Sequence, residues 1–347
     1  MIGIRNRMKI TVCLIKSHQR ILKVEETLAN LGHSVRILNT DDYRKNCSYI
    51  EKKLDKLGFR DKRKNYIQTM EHRLSDAIFL WRSDLVLFIN LPLKIFSFDF
   101  LSQFKNKSKL VCWFVDTVKD VNKENLCYLN LFDKIFSFER NDVSYLDDLK
   151  INSFFLPIGY NQSYRKLSLK KKYDLVFVGV PSDNRLIILE KLATHCKKVG
   201  LNFLICGTFY NSKLFWKKFK YIFHYPNILH FLVNRGLTPD EVCQLYNETK
   251  ICLNIHVKKH LGLNPRTFEI SASGAFQLVD KRPDYYGIFV PGFNITDFDG
   301  FDDLVSKINF YLTSEETQLI ADRAYDTVHE NYSLERSFDK LIEISEK

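Results

Sequence analysis

Residues 253–280 read LNIHVKKHLGLNPRTFEISASGAFQLVD, and this run decides the fold. Ile251-Cys252-Leu253-Asn254-Ile255 is an apolar run of strand length that ends at His256. A loop containing Gly262 leads to Asn264-Pro265-Arg266-Thr267-Phe268-Glu269-Ile270. Asn264 carries the acceptor an N-cap needs and Pro265 suits the first helical position, so a helix starts there. Ser273-Gly274 ends it, and Ala275–Val279 reads as a buried strand.

That layout places free backbone N–H groups, a positive helix terminus and Arg266 together beyond the carboxyl end of a strand. In open α/β sheets the crevice beyond the strand ends is where ligands bind. Glu269 falls where a carboxylate accepts hydrogen bonds from ribose hydroxyls. An ordinary capped helix with a solvated Arg and Glu has the same spacing, so the residues alone leave both readings open.

Working outward, apolar runs alternate with helical periodicity along the whole chain. Strands are expected over Lys9–Ile15, Ser34–Leu38, Asp84–Ile89, Lys109–Val115, Lys134–Phe138 and Ser153–Leu156. Ile21, Val24, Leu28 and Leu31 form one helical stripe, closed by Gly32. A basic stretch, Tyr164 to Lys172, interrupts the pattern and reads as a linker. The pattern then restarts with a strand over Asp174–Val178, Gly179, and a helix to Val199 closed by Gly200. Strands over Asn202–Cys206, Lys250–Ile255 and Ala275–Val279 follow. Two successive β/α/β runs predict an α/β chain of two Rossmann-like, doubly wound domains. The expected divisions are 1–163 as the first domain, 164–172 as linker and 173–330 as the second. A closing helix within 331–347 is expected to pack back on the first domain.

Composition bounds the function. The 347 residues hold 28 Phe and 17 Tyr, too many apolar rings for a disordered chain. The formal net charge of +11 favours anionic partners, or simply a Lys-rich solvated surface. No zinc-finger spacing, RNA-recognition signature or basic helix-turn-helix accompanies it, so nucleic acid is not expected as a partner. The eight cysteines form no C-x-x-C pair, and Cys13 and Cys252 sit inside strand-like runs, as buried thiols of a reducing compartment do. The charged start and the short apolar run from Ile10 to Ile15 match neither a signal peptide nor a membrane span, so a cytoplasmic location is expected.

The run from Leu253 to Asp280 resembles the signature of glycosyltransferases that include the spore-maturation CgeB-type proteins. The matching residues are Asn254, His256, Gly262, Asn264, Arg266, Phe268, Glu269, Gly274 and Ala275. The strand Asp174 to Gly179 with Arg185, and the later Tyr332-Ser333, extend the match. The resemblance implies a GT-B architecture, two facing Rossmann-like domains with a deep cleft, and transfer of a sugar from a nucleotide-diphosphate sugar. By carry-over, Glu269 binds the donor ribose while Arg266 and Arg185 neutralise the pyrophosphate. The donor set it implies is Gly179, Arg185, Asn254, His256, Asn264, Arg266, Thr267, Glu269 and Gly274. His256 is placed beside the donor sugar as a catalytic candidate, or else as a hydrogen-bonded structural histidine. Many retaining relatives carry a further carboxylate where this chain has Leu261, so retention or inversion stays open.

The first half offers acceptor-side candidates at strand ends: Ser17, His18, Asp116 and Glu139. Asp116 is the preferred general base on an acceptor hydroxyl, with N-capping as its other reading. No metal or other cofactor is implied, because the one Asp-x-Asp match, Asp297-Phe298-Asp299, lies in a late acidic turn. The expected acceptor is a glycan or lipid-linked saccharide, in bacterial surface polysaccharide assembly. From Lys213 to Phe223 helical spacing puts Phe215, Phe219, Ile222 and Phe223 on one face. That face lies against either the core or a membrane surface, the inner face in the second case. A nucleotide-sugar epimerase of the same fold, or a non-catalytic sugar-nucleotide-binding partner, are the alternative functions.

Overall fold

The computed structural model describes residues 7–41, 62–91, 95–210, 216–258 and 261–347. The chain divides into two compact units, one formed by Met1–Ile158 with Leu334–Lys347 and the other by Gly159–Ser333. The basic stretch read as a linker lies inside the second unit. Its backbone is strapped down by Asn247, whose side chain accepts from the Leu167 N–H at 2.7 Å and donates to the Arg165 carbonyl at 3.0 Å.

The first unit holds β1 (Lys9–Leu14), α1 (Lys16–Leu22), α2 (Val24–Asn30), β2 (Ser34–Asn39), α3 (Lys62–Phe79) and β3 (Leu85–Ile89). It continues through α4 (Phe98–Ser102), β4 (Lys109–Phe114), β5 (Lys134–Ser137), α5 (Arg140–Asp148) and β6 (Ser153–Phe155). All six strands are parallel, in the order β2-β1-β3-β4-β5-β6. The two-residue alternation of a strand feeds two cores here. Ile10, Val12, Leu87, Val111 and Trp113 face one side, while Cys13, Val86, Phe88, Cys112 and Phe114 face the other with Met70 and Leu74 of α3.

The expected single helix over Ile21–Leu31 is two helices, because Lys23 adopts a left-handed conformation (φ 46°, ψ 41°) between them. Gly32 follows with φ 90°, where its N–H bonds the Ala29 carbonyl at 2.9 Å.

The second unit begins with β7 (Tyr173–Val178), α6 (Asp183–Val199), β8 (Phe203–Cys206), α7 (Trp216–His224), α8 (Pro226–Phe231) and β9 (Leu232–Val233). Then come α9 (Pro239–Asn247), β10 (Thr249–Asn254), α10 (Pro265–Ala272), β11 (Gln277–Asp280), β12 (Thr296–Phe298), α11 (Phe301–Tyr311) and α12 (Glu316–Asn331). Its parallel sheet has the order β12-β11-β10-β7-β8-β9. Leu186, Leu189, Ala193 and Cys196 of α6 are buried on the single stripe expected of them. The two short strands β9 and β12 were not expected.

The last helix, α13 (Leu334–Glu346), completes the first unit. Leu334, Phe338, Leu341 and Ile342 are buried against β1, β3 and β4, with the Phe338 ring edge-on to Trp113 at 5.5 Å. The Ser337 hydroxyl donates to the Pro157 carbonyl at 2.9 Å.

Candidate functional site

In the second sheet the chain leaves β7 toward β8 and β9, then returns to β10 on the other side of β7. Connections therefore diverge between β7 and β10, and at such a switch point a crevice opens beyond the carboxyl ends of the strands. Arg185, in the first turn of α6, reaches across it. Its Nε–H donates to the Ile255 carbonyl just past β10 at 2.7 Å, and Nη1 donates to Val180 beyond β7 at 3.0 Å. The guanidinium lies 5.7 Å from the Phe177 ring centre. Burial holds its pKa down to about 10, with Asp280 opposing the shift and Arg266 adding to it. It remains charged at neutral pH. Gly179 leaves the room this needs: a Cβ there would stand 2.8 Å from the Phe177 ring and 3.7 Å from Arg185 Nη1.

The start of α10 is fixed by side chains that satisfy one another. Asn264 caps the helix by accepting from the Thr267 N–H at 3.1 Å, and its amide donates to Asn254 Oδ1 at 2.8 Å. Asn254 donates in turn to Thr267 Oγ1 at 3.0 Å, and Gln277 to the Thr267 carbonyl at 3.0 Å. Asn254 and Thr267 are thus fully buried clamps rather than groups facing a ligand. His256 belongs to the same clamp. Its Nδ1–H donates to Asp280 Oδ1 at 2.7 Å while Nε2 accepts the Asn264 N–H at 3.1 Å. Both ring nitrogens are occupied and the ring is 1% exposed, so the structure holds the neutral tautomer as a structural histidine. Burial lowers its pKa, against the pull of Asp280.

Asp280 also accepts from Arg282 Nη1 at 3.2 Å. Burial works to raise the Asp280 pKa, but the hydrogen bonds from His256 and the charge of Arg282 outweigh it and hold the carboxylate ionised. Arg282 was missed in the sequence; its only signal is a cation two residues past the strand that ends in Asp280.

Arg266 and Glu269 are paired with each other, one helical turn apart. The rings of Tyr164 and Tyr246 stack at 6.4 Å beside the pair, and Glu269 is 3% exposed. Burial acts to lower the Arg266 pKa, and the Glu269 charge overcomes it and raises the value. The separate ribose and pyrophosphate contacts expected of these two residues are not assembled in this form. Gly274, with φ 63°, closes the far end of α10 against the Lys166 methylenes, away from Asn264. Three guanidiniums (Arg185, Arg266 and Arg282) accompany two carboxylates, Asp280 and Glu269. Positive charge is left over beside a helix N-terminus, an environment suited to a phosphate.

The acceptor-side candidates sit in the first unit. Asp116 is exposed at the carboxyl end of β4 and accepts from Asn90 Nδ2 at 3.0 Å. Asn90, with φ 62°, also accepts the Val115 N–H at 2.9 Å. Ser17 is exposed and His18 half-buried in the first turn of α1. Glu139 is buried at the start of α5, near Asp142. Asp142, also missed in the sequence, accepts from the Thr117 hydroxyl and the Val118 N–H, both at 2.8 Å, and fixes the turn that follows Asp116. Burial raises its pKa and Glu139 adds to the rise, against those hydrogen bonds. Asp297 and Asp299 are engaged by the Tyr285 hydroxyl at 2.7 Å and Lys281 at 3.1 Å. Among the described residues no helix is long and apolar enough to cross a membrane.

Residues 185–343, which begin at the arginine bridging the switch point, match the family described as glycosyl transferase-like. The chain is 27% identical over 210 residues to the spore protein CgeB of Bacillus subtilis, covering 55% of this chain and 61% of that protein. Sucrose-phosphate synthase of Thermosynechococcus elongatus superposes with a TM-score of 0.68 at 11% identity, over 97% of this chain and 98% of the other. HepE of Anabaena, solved with UDP and glucose, gives 0.62 at 11% identity, over 97% and 99%. At such identities the likeness is one of fold, and the fold is GT-B. Within the matched stretch, Arg185, His256, Asp280 and the start of α10 surround one switch point.

Proposed function

We propose that this chain is a glycosyltransferase that moves a sugar from a nucleotide-diphosphate donor to a hydroxyl of a glycan or lipid-linked saccharide. The observation that carries the reading is Arg185, buried and charged across the β7/β10 switch point beside the capped start of α10. A guanidinium has five N–H donors, and two are used in the contacts above. The others suit a diphosphate, whose charge grows as the glycosidic bond breaks. Arg282 adds charge from the other side of Asp280. Glu269 meets the donor ribose once Arg266 turns from it to the phosphates. Asp116 takes the proton of the acceptor hydroxyl, held for that task by Asn90. No metal is assigned to the reaction. The setting we propose is bacterial surface polysaccharide assembly at the inner face of the membrane.

The test is a thermal-shift screen against UDP, GDP, CDP, dTDP and their sugars, with UDP first because HepE was solved with it. A nucleotide at about 100 times its dissociation constant stabilises the fold by ~2.7 kcal/mol. A response to one nucleotide, then transfer to an added acceptor, supports the reading. Interconversion of the sugar without acceptor turns it into an epimerase, and binding without any turnover into a non-catalytic partner. Silence toward every nucleotide removes the donor site altogether.

A further inference from the structure

The first sheet has a cleft at the amino ends of its strands, the end away from Asp116. It holds about 780 Å³, inside the ~300–1,000 Å³ of small-molecule sites, and every residue lining it belongs to the first unit. It is walled by the turn after α3, the turn into β4, Asp133 before β5 and the last turn of α13.

Two of these walls hold residues at backbone angles that side chains resist. Arg82, in the turn after α3, has φ 57°, and Asn106, in the turn into β4, has φ 70°. Glycine takes such angles freely, whereas a Cβ makes them costly. The turns are closed by the backbone alone: the Ser83 N–H bonds the Ala77 carbonyl at 3.1 Å and the Lys107 N–H bonds the Phe104 carbonyl at 2.9 Å. Among the described residues no hydrogen bond or ion pair reaches the side chain of Arg82, Asn106 or Lys107. No polar contact of the fold repays the strain, and all three side chains line the same cleft.

The cleft offers acceptors as well. Asp84 and Asp133 each give one carboxylate oxygen to a strand start, accepting from the Lys9 N–H at 2.7 Å and the Leu110 N–H at 2.8 Å. Among the described residues the second oxygen of each has no donor. Lys109 is engaged, its ammonium donating to the Ser345 and Glu346 carbonyls at the end of α13. The lining thus balances Arg82, Lys107 and Lys109 against Asp84, Asp133 and Glu346, so it gives no advantage to a phosphate or a nucleic acid. What it presents is unused donors beside unused acceptors. A hydroxyl needs both, having one O–H to donate and two lone pairs to offer.

We propose that this cleft binds a saccharide. Arg82, Asn106 and Lys107 donate to its hydroxyls, Asp84 and Asp133 accept from them, and Met8 and Ile78 give its C–H faces an apolar surface. The cleft shares no residue with the donor switch point or with Asp116, so the inference stands apart from the transfer reading.

The experiment is a screen of the full chain, without nucleotide, on an array of neutral and acidic oligosaccharides, followed by isothermal titration of those retained. At least one is expected to bind. The pair Arg82→Gly with Asn106→Gly should lower its affinity about tenfold or more through lost hydrogen bonds. The melting temperature of that pair should stay level or rise, because glycine suits both angles. Asp116→Asn should bind the same saccharide as the wild type does. An array on which nothing is retained overturns the proposal. So does a glycine pair that binds like the wild type, or one that melts well below it and so marks the two side chains as structural. Binding confined to acidic oligosaccharides and abolished by added salt gives the cleft to an anion and overturns it equally.

Discussion

One carboxylate oxygen of Asp280 receives two hydrogen bonds from the same residue, His256: the backbone N–H at 2.8 Å and the ring Nδ1–H at 2.7 Å. Main chain and side chain are thereby locked together at the end of β10, and Nε2 is aimed at the Asn264 N–H that opens α10. A proton on Nε2 would break that last bond. Because burial lowers the His256 pKa below its usual 6.5, the unfolded chain takes up a proton that the folded chain refuses. The stabilisation is complete above that value and declines as the pH falls below it. Melting temperature should therefore drop as the pH is lowered from neutral through that value, and His256→Gln should flatten that part of the profile. The variant should also lose about 2 kcal/mol at neutral pH, by leaving a buried N–H and carboxylate short of partners.

Arg185→Lys keeps the charge but loses the fork that spans Ile255 and Val180. Charge-assisted hydrogen bonds are each worth about 1.5–3 kcal/mol, so nucleotide-diphosphate affinity should fall roughly ten- to hundredfold. Isothermal titration of the folded variant measures it. Unchanged affinity would move the diphosphate away from the switch point.

Glu269→Leu leaves Arg266 half-buried without its counter-charge and should cost about 3 kcal/mol, several degrees in melting temperature. Adding Arg266→Met should restore most of that loss, since a buried ion pair exchanged whole for apolar groups is close to neutral. Neither variant should bind nucleotide well if Glu269 meets the ribose. A double variant that is stable and binds normally would make the pair purely structural.

Asp116→Asn should spare nucleotide binding and melting temperature, because the residue is exposed, while lowering kcat about 10²- to 10⁴-fold. Loss of donor binding in this variant would refute its assignment as base.

Much of the fold was legible because parallel strands buried on both faces are continuous apolar runs, as in Leu85–Ile89 and Leu110–Phe114. The cap at Asn264 and the stops at Gly32 and Gly200 were legible for a similarly local reason. β9 and β12 were not, since two or three residues carry no period. Lys23 broke a helix whose stripe looked unbroken because nothing in a lysine announces a left-handed conformation. At the site, spacing identified which residues gather near the switch point but not which way each turns. Asn254, His256 and Thr267 read as ligand groups, yet they face one another. α7 misled for the opposite reason: its periodicity marks Ile222 and Phe223 for the core, yet both are exposed while Tyr221 is buried. Phe215 lies outside the described residues.

The return of α13 to the first unit also fixes an order of events during synthesis. The apolar layer under β1, β3 and β4 lacks Leu334, Phe338, Leu341 and Ile342 until residues 334–342 have been made. The core of the second unit, from Leu175 to Ala321, uses none of those four side chains. A chain truncated after Ser333 should accordingly be cut by protease within the first unit and spared in the second.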